Sequence, residues 1–319
     1  MARGSLIDVP GLRLGHRSLG DTGVTVVLAE DPAGMTAGVD VRGGGPGTRE
    51  TDLLAPHNTV QRAHAIVLAG GSAFGLAAAD GAMTELEAAG YGFPVFGEDA
   101  PGPRVPIVPG AVIFDLVVGD PAHRPTAADG AAAVRTALAE GKDVRSGALG
   151  AGCGATAGVL RGGFGQASLG VGEHVVAAGV VANPVGSVVD PVTGLLYGDA
   201  SAPAVDTAAF AQLERPTPSL NTTIGVIATD APVTKAQAAR LAMTGHDGVA
   251  RAVRPAHSPL DGDTLFAVST APDATGVTPD ILHELSAAAA DVVAAAIVAA
   301  VVAAESAYGV TAWSQVRRS

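Results

Sequence analysis

Ser219-Leu220-Asn221-Thr222-Thr223-Ile224-Gly225-Val226-Ile227-Ala228-Thr229-Asp230 is a loop that runs straight into a strand. Arg215 to Ser219 carries two prolines and a serine, and Asn221 closes it. From Thr222 onward the residues are β-branched or small, the types that fit a pleated, half-buried surface. Period two sets Thr222, Ile224, Val226 and Ala228 on one face. A threonine opening a buried strand is ordinary. It becomes chemically distinctive if the peptide bond before it is cut, because Thr222 then holds a nucleophilic hydroxyl and a basic α-amine within one residue.

Outward from that stretch the chain alternates strands and helices. Thr234-Lys235-Ala236-Gln237 forms a capping box. It opens a helix with Ala238, Leu241, Ala242, Val249, Ala252 and Val253 at core spacing. A second strand follows in Pro259-Leu260-Asp261-Gly262-Asp263-Thr264-Leu265-Phe266-Ala267-Val268-Ser269-Thr270. Its leading end carries two carboxylates on one face, roughly 7 Å apart by strand rise. Asp-Gly-Asp is most often a turn, and the further acidic ligand of a calcium loop is missing, which argues against a metal. A last helix is expected from about Pro279 to Ala307. Upstream, Pro203 to Ser219 reads as a surface linker, the best place for a processed segment.

The N-terminal half reads as strands over 23–29 and 36–42, followed by Gly43-Gly44-Gly45-Pro46-Gly47. A phosphate cradle would continue into Lys-Ser/Thr and a helix, and Thr48-Arg49-Glu50 does not, so the loop reads as packing or a site wall. His64 to Leu68 is a buried strand ending in Ala69-Gly70-Gly71-Ser72-Ala73-Phe74-Gly75, with a helix expected to about Ala89. An esterase elbow needs glycine two residues after the serine, where this chain has Phe74. The amides of Gly71, Ser72 and Ala73 form a candidate oxyanion site. Ala111 to Val118 reads as a strand containing Phe114 and Asp115, and a helix covers 127–140. Gly150-x-Gly152-x-x-Ala155 matches a loose dinucleotide pattern, but no clear strand precedes it and no acidic residue follows at the needed distance. Val175 to Ala182 is a strong apolar strand, stopped by Asn183-Pro184-Val185-Gly186. Asn183 is either a plain turn former, the commoner use, or an amide presented at a strand end.

Composition bounds the function classes. Of 319 residues, 48% are hydrophobic and only 3% aromatic, so a large core must close on small side chains. A net charge of -12 without a Lys/Arg run argues against nucleic acid or an anionic membrane surface. The single cysteine, Cys153, excludes an intrachain disulfide and fits a reducing, cytoplasmic setting. The apolar run Val292 to Ala304 falls short of the ~20 residues of a membrane span and reads as a buried helix.

Asn221-Thr222-Thr223-Ile224, Asn183-Pro184-Val185-Gly186, Ala69-Gly70-Gly71-Ser72, Pro109-Gly110-Ala111-Val112-Ile113-Phe114-Asp115 and Asp261-Gly262-Asp263-Thr264-Leu265-Phe266 resemble, in order, segments of the L-aminopeptidase/D-esterase (DmpA-type) hydrolases. That family includes β-peptidyl aminopeptidases and nylon-oligomer hydrolases. The resemblance implies an α/β (α+β) fold of the N-terminal-nucleophile kind, a four-layer α-β-β-α sandwich built as one domain. It implies self-cleavage between Asn221 and Thr222 into subunits 1–221 and 222–319, with Thr222 as nucleophile. Asn183 matches the position that helps hold the oxyanion, and Asp261 and Asp263 match the acidic pair that orients the new amine and hydroxyl. Gly71, Ser72 and Phe114 fall where substrate or oxyanion is bound. The implied substrate is a small or short-peptide amide, with no metal or organic cofactor, acting in a homo-oligomer, a tetramer of processed heterodimers. Two positions depart from the family. Phe114 stands where nylon-hydrolase relatives show Tyr, and Val159 stands where relatives often place Lys, which leaves Arg161 as the nearest cation. An acyltransferase of the ornithine-acetyltransferase kind and a non-maturing binding protein are the alternative readings.

Overall fold

A computed structural model describes residues 2–218 and 220–318. Ser219, the end of the expected linker, lies outside the described residues. Two sheets stack face to face. One has the strand order Leu12–Ser18, Gly23–Ala29, Ala65–Ala69, Gly110–Val112, Thr48–Arg49. The other runs Gly163–Val171, His174–Ala182, Ile224–Thr229, Thr264–Ser269, Met35–Val41, Arg62–Ala63.

Alternation along each strand sorts the side chains into three cores. Ile224, Val226 and Ala228 point between the sheets, where they meet Leu12, Leu14, Ile66, Leu68, Phe164 and Phe266. Ile227, on the opposite face, packs under the helices Lys235–Ala252 and Pro279–Ala303. On the other sheet, Val24, Val26 and Leu28 pack beneath Ala78–Ala88 and Ala127–Ala139. Helices thus cover both outer faces, giving the four-layer α-β-β-α sandwich. Each fully buried Val, Leu or Ile contributes about 1.5–3 kcal/mol. With few aromatics the layers close by contact of small residues. A Cβ on Gly81 would stand 1.6 Å from the Ala127 carbonyl oxygen, and one on Gly130 would stand 1.8 Å from that of Ala78. Only glycine lets these two helices approach so closely.

Several boundaries differ from the sequence reading. The strand after the cleavage candidate starts at Ile224, and its partner starts at Thr264. The segment expected as a strand over 111–118 is a strand only at Gly110–Val112 and then turns away, with Val118 N donating to Asp115 O. A 3₁₀ turn, Ser72–Ala77, precedes the α-helix Ala78–Ala88. The last helix ends at Ala303, four residues early. It is long and apolar enough to span a membrane, but 72% of that stretch is buried inside the protein as the core helix. The expected surface linker is partly tied down. Val205 is buried and bridges to Arg317, and Asp206 caps the short helix Thr207–Phe210.

Buried histidines set an acid limit on this core. Burial holds His64 and His246 down at about 4, against an ordinary 6.5. Between those values the unfolded chain binds protons that the folded chain refuses, so stability is lost as pH falls through the window. The loss reaches roughly 3 kcal/mol per histidine near pH 4. Asp115, pushed up to about 6 by burial, acts oppositely and loses its contribution as pH rises through 6. Two histidines outweigh one carboxyl, so the melting temperature should drop between pH 7 and pH 4.5. A melting temperature that rises over this interval contradicts the assignment.

Candidate active site

Pairing direction builds the site. Ile224–Thr229 and Thr264–Ser269 are parallel, with Ile224 opposite Thr264, so the segments leading into both strands lie side by side. Asn221 bridges Asp261 in that register. His174–Ala182 runs antiparallel with Val181 opposite Ile224, which delivers its C-terminal end, Asn183, to the same edge. Met35–Val41 also runs antiparallel, with Val41 opposite Thr264, and brings the glycine loop after it to that edge. Gly43 N and Gly45 N donate to the carbonyls of Asp263 and Asp261, at 3.2 and 2.9 Å. The loop is therefore a wall beside the acidic pair, as its sequence suggested.

Thr222 is buried. Its amide donates to the Asn183 carbonyl at 2.7 Å. Its hydroxyl donates to the carbonyl oxygen of Asn221, that of its own preceding peptide. Gly262 N stands 3.3 Å from the same carbonyl oxygen and 3.2 Å from Thr222 Oγ1. A side chain on Gly262 would meet Thr222 Oγ1 at 2.9 Å and the Gly45 carbonyl at 2.6 Å, so glycine is required for this approach.

Asn183 is wholly buried, and both ends of its amide are hydrogen-bonded. Its Oδ1 accepts from Thr156 N at 2.8 Å and from Asn221 Nδ2 at 3.3 Å. Its Nδ2 donates to the Phe114 carbonyl at 3.0 Å. Asp261 Oδ1 accepts from Val185 N at 2.9 Å, and its Oδ2 accepts from Ser258 N at 3.3 Å. Burial, then the neighbouring Asp263 charge, pushes the Asp261 carboxyl above its ordinary value. Asp263 Oδ1 accepts from Thr223 N at 2.7 Å, and its Oδ2 faces His257 Nδ1 at 2.8 Å.

Thr222, Asn221 and Asn183 thus share one hydrogen-bonded cluster, and Phe114 joins it through its carbonyl rather than its ring. Asp263 adjoins it through Thr223 N, and Asp261 lies opposite Asn221 with its carboxylate on Val185 N and Ser258 N. Gly71 and Ser72 do not join it directly. Gly71 N donates to Asp115 Oδ1 at 2.6 Å and Ser72 N to the Ile113 carbonyl at 2.9 Å, so two of the three amides expected as oxyanion donors are already engaged. Arg161 is fully buried but turns to the Cys153 carbonyl, and its Nε and Nη1 have no partner among the described residues. Sequence reasoning missed Thr156, Gly262 N and His257. Thr156 Oγ1 accepts from Asn221 Nδ2 at 3.1 Å. Two clefts, of about 400 and 760 Å³, lie elsewhere, the first beside His16 and Asp143 and the second beside Tyr197 and Arg254.

The fold is shared with solved enzymes. A Burkholderia sp. beta-aminopeptidase superposes with a TM-score of 0.75 at 24% identity, over 97% of this chain and 90% of the other. The L-aminopeptidase D-Ala-esterase/amidase of Ochrobactrum anthropi, described as a variant of the Ntn hydrolase fold, superposes at 0.73 with 23% identity, over 96% and 88%. In sequence, an uncharacterised aminopeptidase of Mycobacterium leprae is 47% identical over 96% of this chain and 92% of its own length. A 6-aminohexanoate-oligomer endohydrolase of Kocuria sp. is 34% identical over 82% of this chain and 74% of its own. Residues 4–314 match the model of Peptidase family S58, and the chain belongs to that family as an amide-hydrolysing enzyme.

Proposed function

We propose that the chain cuts itself between Asn221 and Thr222, and that Thr222 is then the N-terminal nucleophile of an aminopeptidase-like amide hydrolase. One observation carries this reading: the Thr222 hydroxyl lies against the carbonyl of the bond to be cut, with the Gly262 N–H beside the same oxygen. In self-cleavage, Oγ1 attacks the Asn221 carbonyl carbon, and the Gly262 N–H steadies the developing oxyanion. The C–N bond breaks, the nitrogen takes the hydroxyl proton, and Asn221 is left as an ester on Oγ1. Water hydrolyses that ester, giving subunits 1–221 and 222–319 of what was one domain.

The freed α-amine, with a reference pKa near 8, then takes the Oγ1 proton as a substrate amide arrives. Oγ1 bonds to the substrate carbonyl, and Asn183 Nδ2 steadies the oxyanion once it leaves Phe114. The leaving amine takes the proton, and water releases the acyl group. Asp261 and Asp263 orient the amine and hydroxyl, and burial raises the Asp261 carboxyl above its ordinary value. Gly71 acts through Asp115 and Ser72 through the Ile113 carbonyl, and both contacts shape the backbone around Phe114. The substrate is a short peptide or an amino-acid amide, in keeping with the aminopeptidase and oligomer-hydrolase names of the relatives. The enzyme works without a cofactor, in the cytoplasm, as a homo-oligomer. The exposed apolar side chains Phe93 and Phe96, each 65% accessible, favour assembly.

An aminoacyl anilide tests the catalytic half. Matured protein should release a burst of chromogenic amine equal to its Thr222 N-termini, followed by steady turnover. Matured protein that releases no amine from free or N-acetylated anilides contradicts the reading.

A further inference from the structure

We propose that His257 is a positioning residue of this site, whose ring N–H locks the Asp263 carboxylate and, through it, the backbone that carries Thr222. The proposal rests on the reading of Asp263 as a member of the site.

Asp263 is buried and receives three N–H groups. Thr223 N donates to Oδ1 at 2.7 Å, and His257 supplies both Nδ1, at 2.8 Å, and its backbone N, at 3.2 Å, to Oδ2. A carboxylate only accepts, so this bond assigns the ring proton to Nδ1. The carboxylate therefore ties the amide next to the nucleophile to a single side chain six residues upstream of Asp263. Carboxyl groups rotate readily about their last torsion. Without the ring N–H, Oδ2 keeps only the longer 3.2 Å bond from His257 N, and the carboxylate turns more freely away from the geometry that serves Thr223 N.

His257 itself is held from two sides. Its backbone has φ +56°, a left-handed conformation that costs a non-glycine residue energy and persists only where the surroundings enforce it. Its ring packs edge-on against His246, with centroids 4.8 Å apart and planes at 74°. His246 is fully buried, and its Nε2 donates to the Asp40 carbonyl at 3.1 Å, because a carbonyl can only accept. The clamp thus runs from the Asp40 backbone through two rings to Asp263 and on to Thr223. Among the described residues, the ring's one hydrogen bond goes to Asp263 of the acidic pair.

Three full-length variants test the proposal. His257→Gly accepts the left-handed backbone and removes the ring. His257→Asn also tolerates it and restores an N–H near the Nδ1 position. His257→Gln sets its amide near the Nε2 position instead. The readouts are the rate of cleavage before Thr222 by intact mass, kcat and KM of the matured fraction on an aminoacyl anilide, and the melting temperature. His257→Gly should slow both cleavage and kcat about tenfold to a hundredfold, the usual effect of misplacing a catalytic group, with KM little changed. His257→Asn should recover most of the loss, and His257→Gln should not. Should the glycine variant fail to fold, the Asn-against-Gln comparison decides alone. Wild-type rates in His257→Gly, or equal rates in the Asn and Gln variants, overturn the proposal. Asp263→Asn separates the two levels. Full maturation and turnover in that variant overturns the reading of the acidic pair, whereas a defect there without one in His257→Gly overturns only the role of His257.

Discussion

Thr222→Ala should leave a single uncut chain with turnover down at least about ten-thousandfold, the scale on which a lost covalent nucleophile acts. Two losses coincide in this variant. The hydroxyl that lies against the Asn221 carbonyl is gone, so the peptide stays closed. Because it stays closed, the α-amine that serves as base is never made. The fold should survive, since the Thr222 amide still donates to Asn183 and the cores do not use the hydroxyl. Thr222→Ser keeps an oxygen at the same distance from the backbone and should mature and turn over. Cleavage by the alanine variant, read on denaturing gels, counts against the hydroxyl as attacking group.

Asn183→Ala should lower kcat about a hundredfold to a thousandfold, the usual loss for one oxyanion donor. This position also holds the site together, so a stability effect accompanies the kinetic one. Truncation leaves Thr156 N and the Phe114 carbonyl without partners in a buried setting, at about 1–3 kcal/mol each. Asn183→Asp separates the two effects. It keeps an acceptor for Thr156 N but loses the donor. A matured Asp variant with wild-type kcat would remove Asn183 from the chemistry, whatever its melting temperature.

The strands and helices were largely legible, because alternation and helical spacing follow directly from which faces are buried. Ile224, Val226 and Ala228 share a face in the sequence pattern and share the inter-sheet core in the structure. The stacking into four layers was not legible from periodicity. It came from the family resemblance, because nothing local dictates that Ile224 pairs in parallel with Thr264. That register is what sets Asn221 beside Asp261, and it joins residues far apart in the chain. The misread pieces share a cause. Phe114 and Asp115 look like strand residues, yet the chain turns there so that Asp115 can accept from Gly71 and Thr22. Gly71 and Ser72 looked like free amide donors because a sequence does not reveal that Asp115 and the Ile113 carbonyl already hold them. Gly262 N was missed for the complementary reason: a backbone amide has no residue type to single it out. His257 did leave a trace, a lone histidine between Pro255 and Pro259 just ahead of Asp-Gly-Asp, but its partner becomes evident only in three dimensions.

The most direct test of the central claim is the intact mass of the purified wild-type chain under denaturing conditions, followed by N-terminal sequencing. Two fragments are expected, 1–221 and 222–319, with the second beginning Thr-Thr-Ile-Gly. A chain that stays whole after prolonged incubation while hydrolysing amides at full rate, or a cut at any other bond, would contradict it.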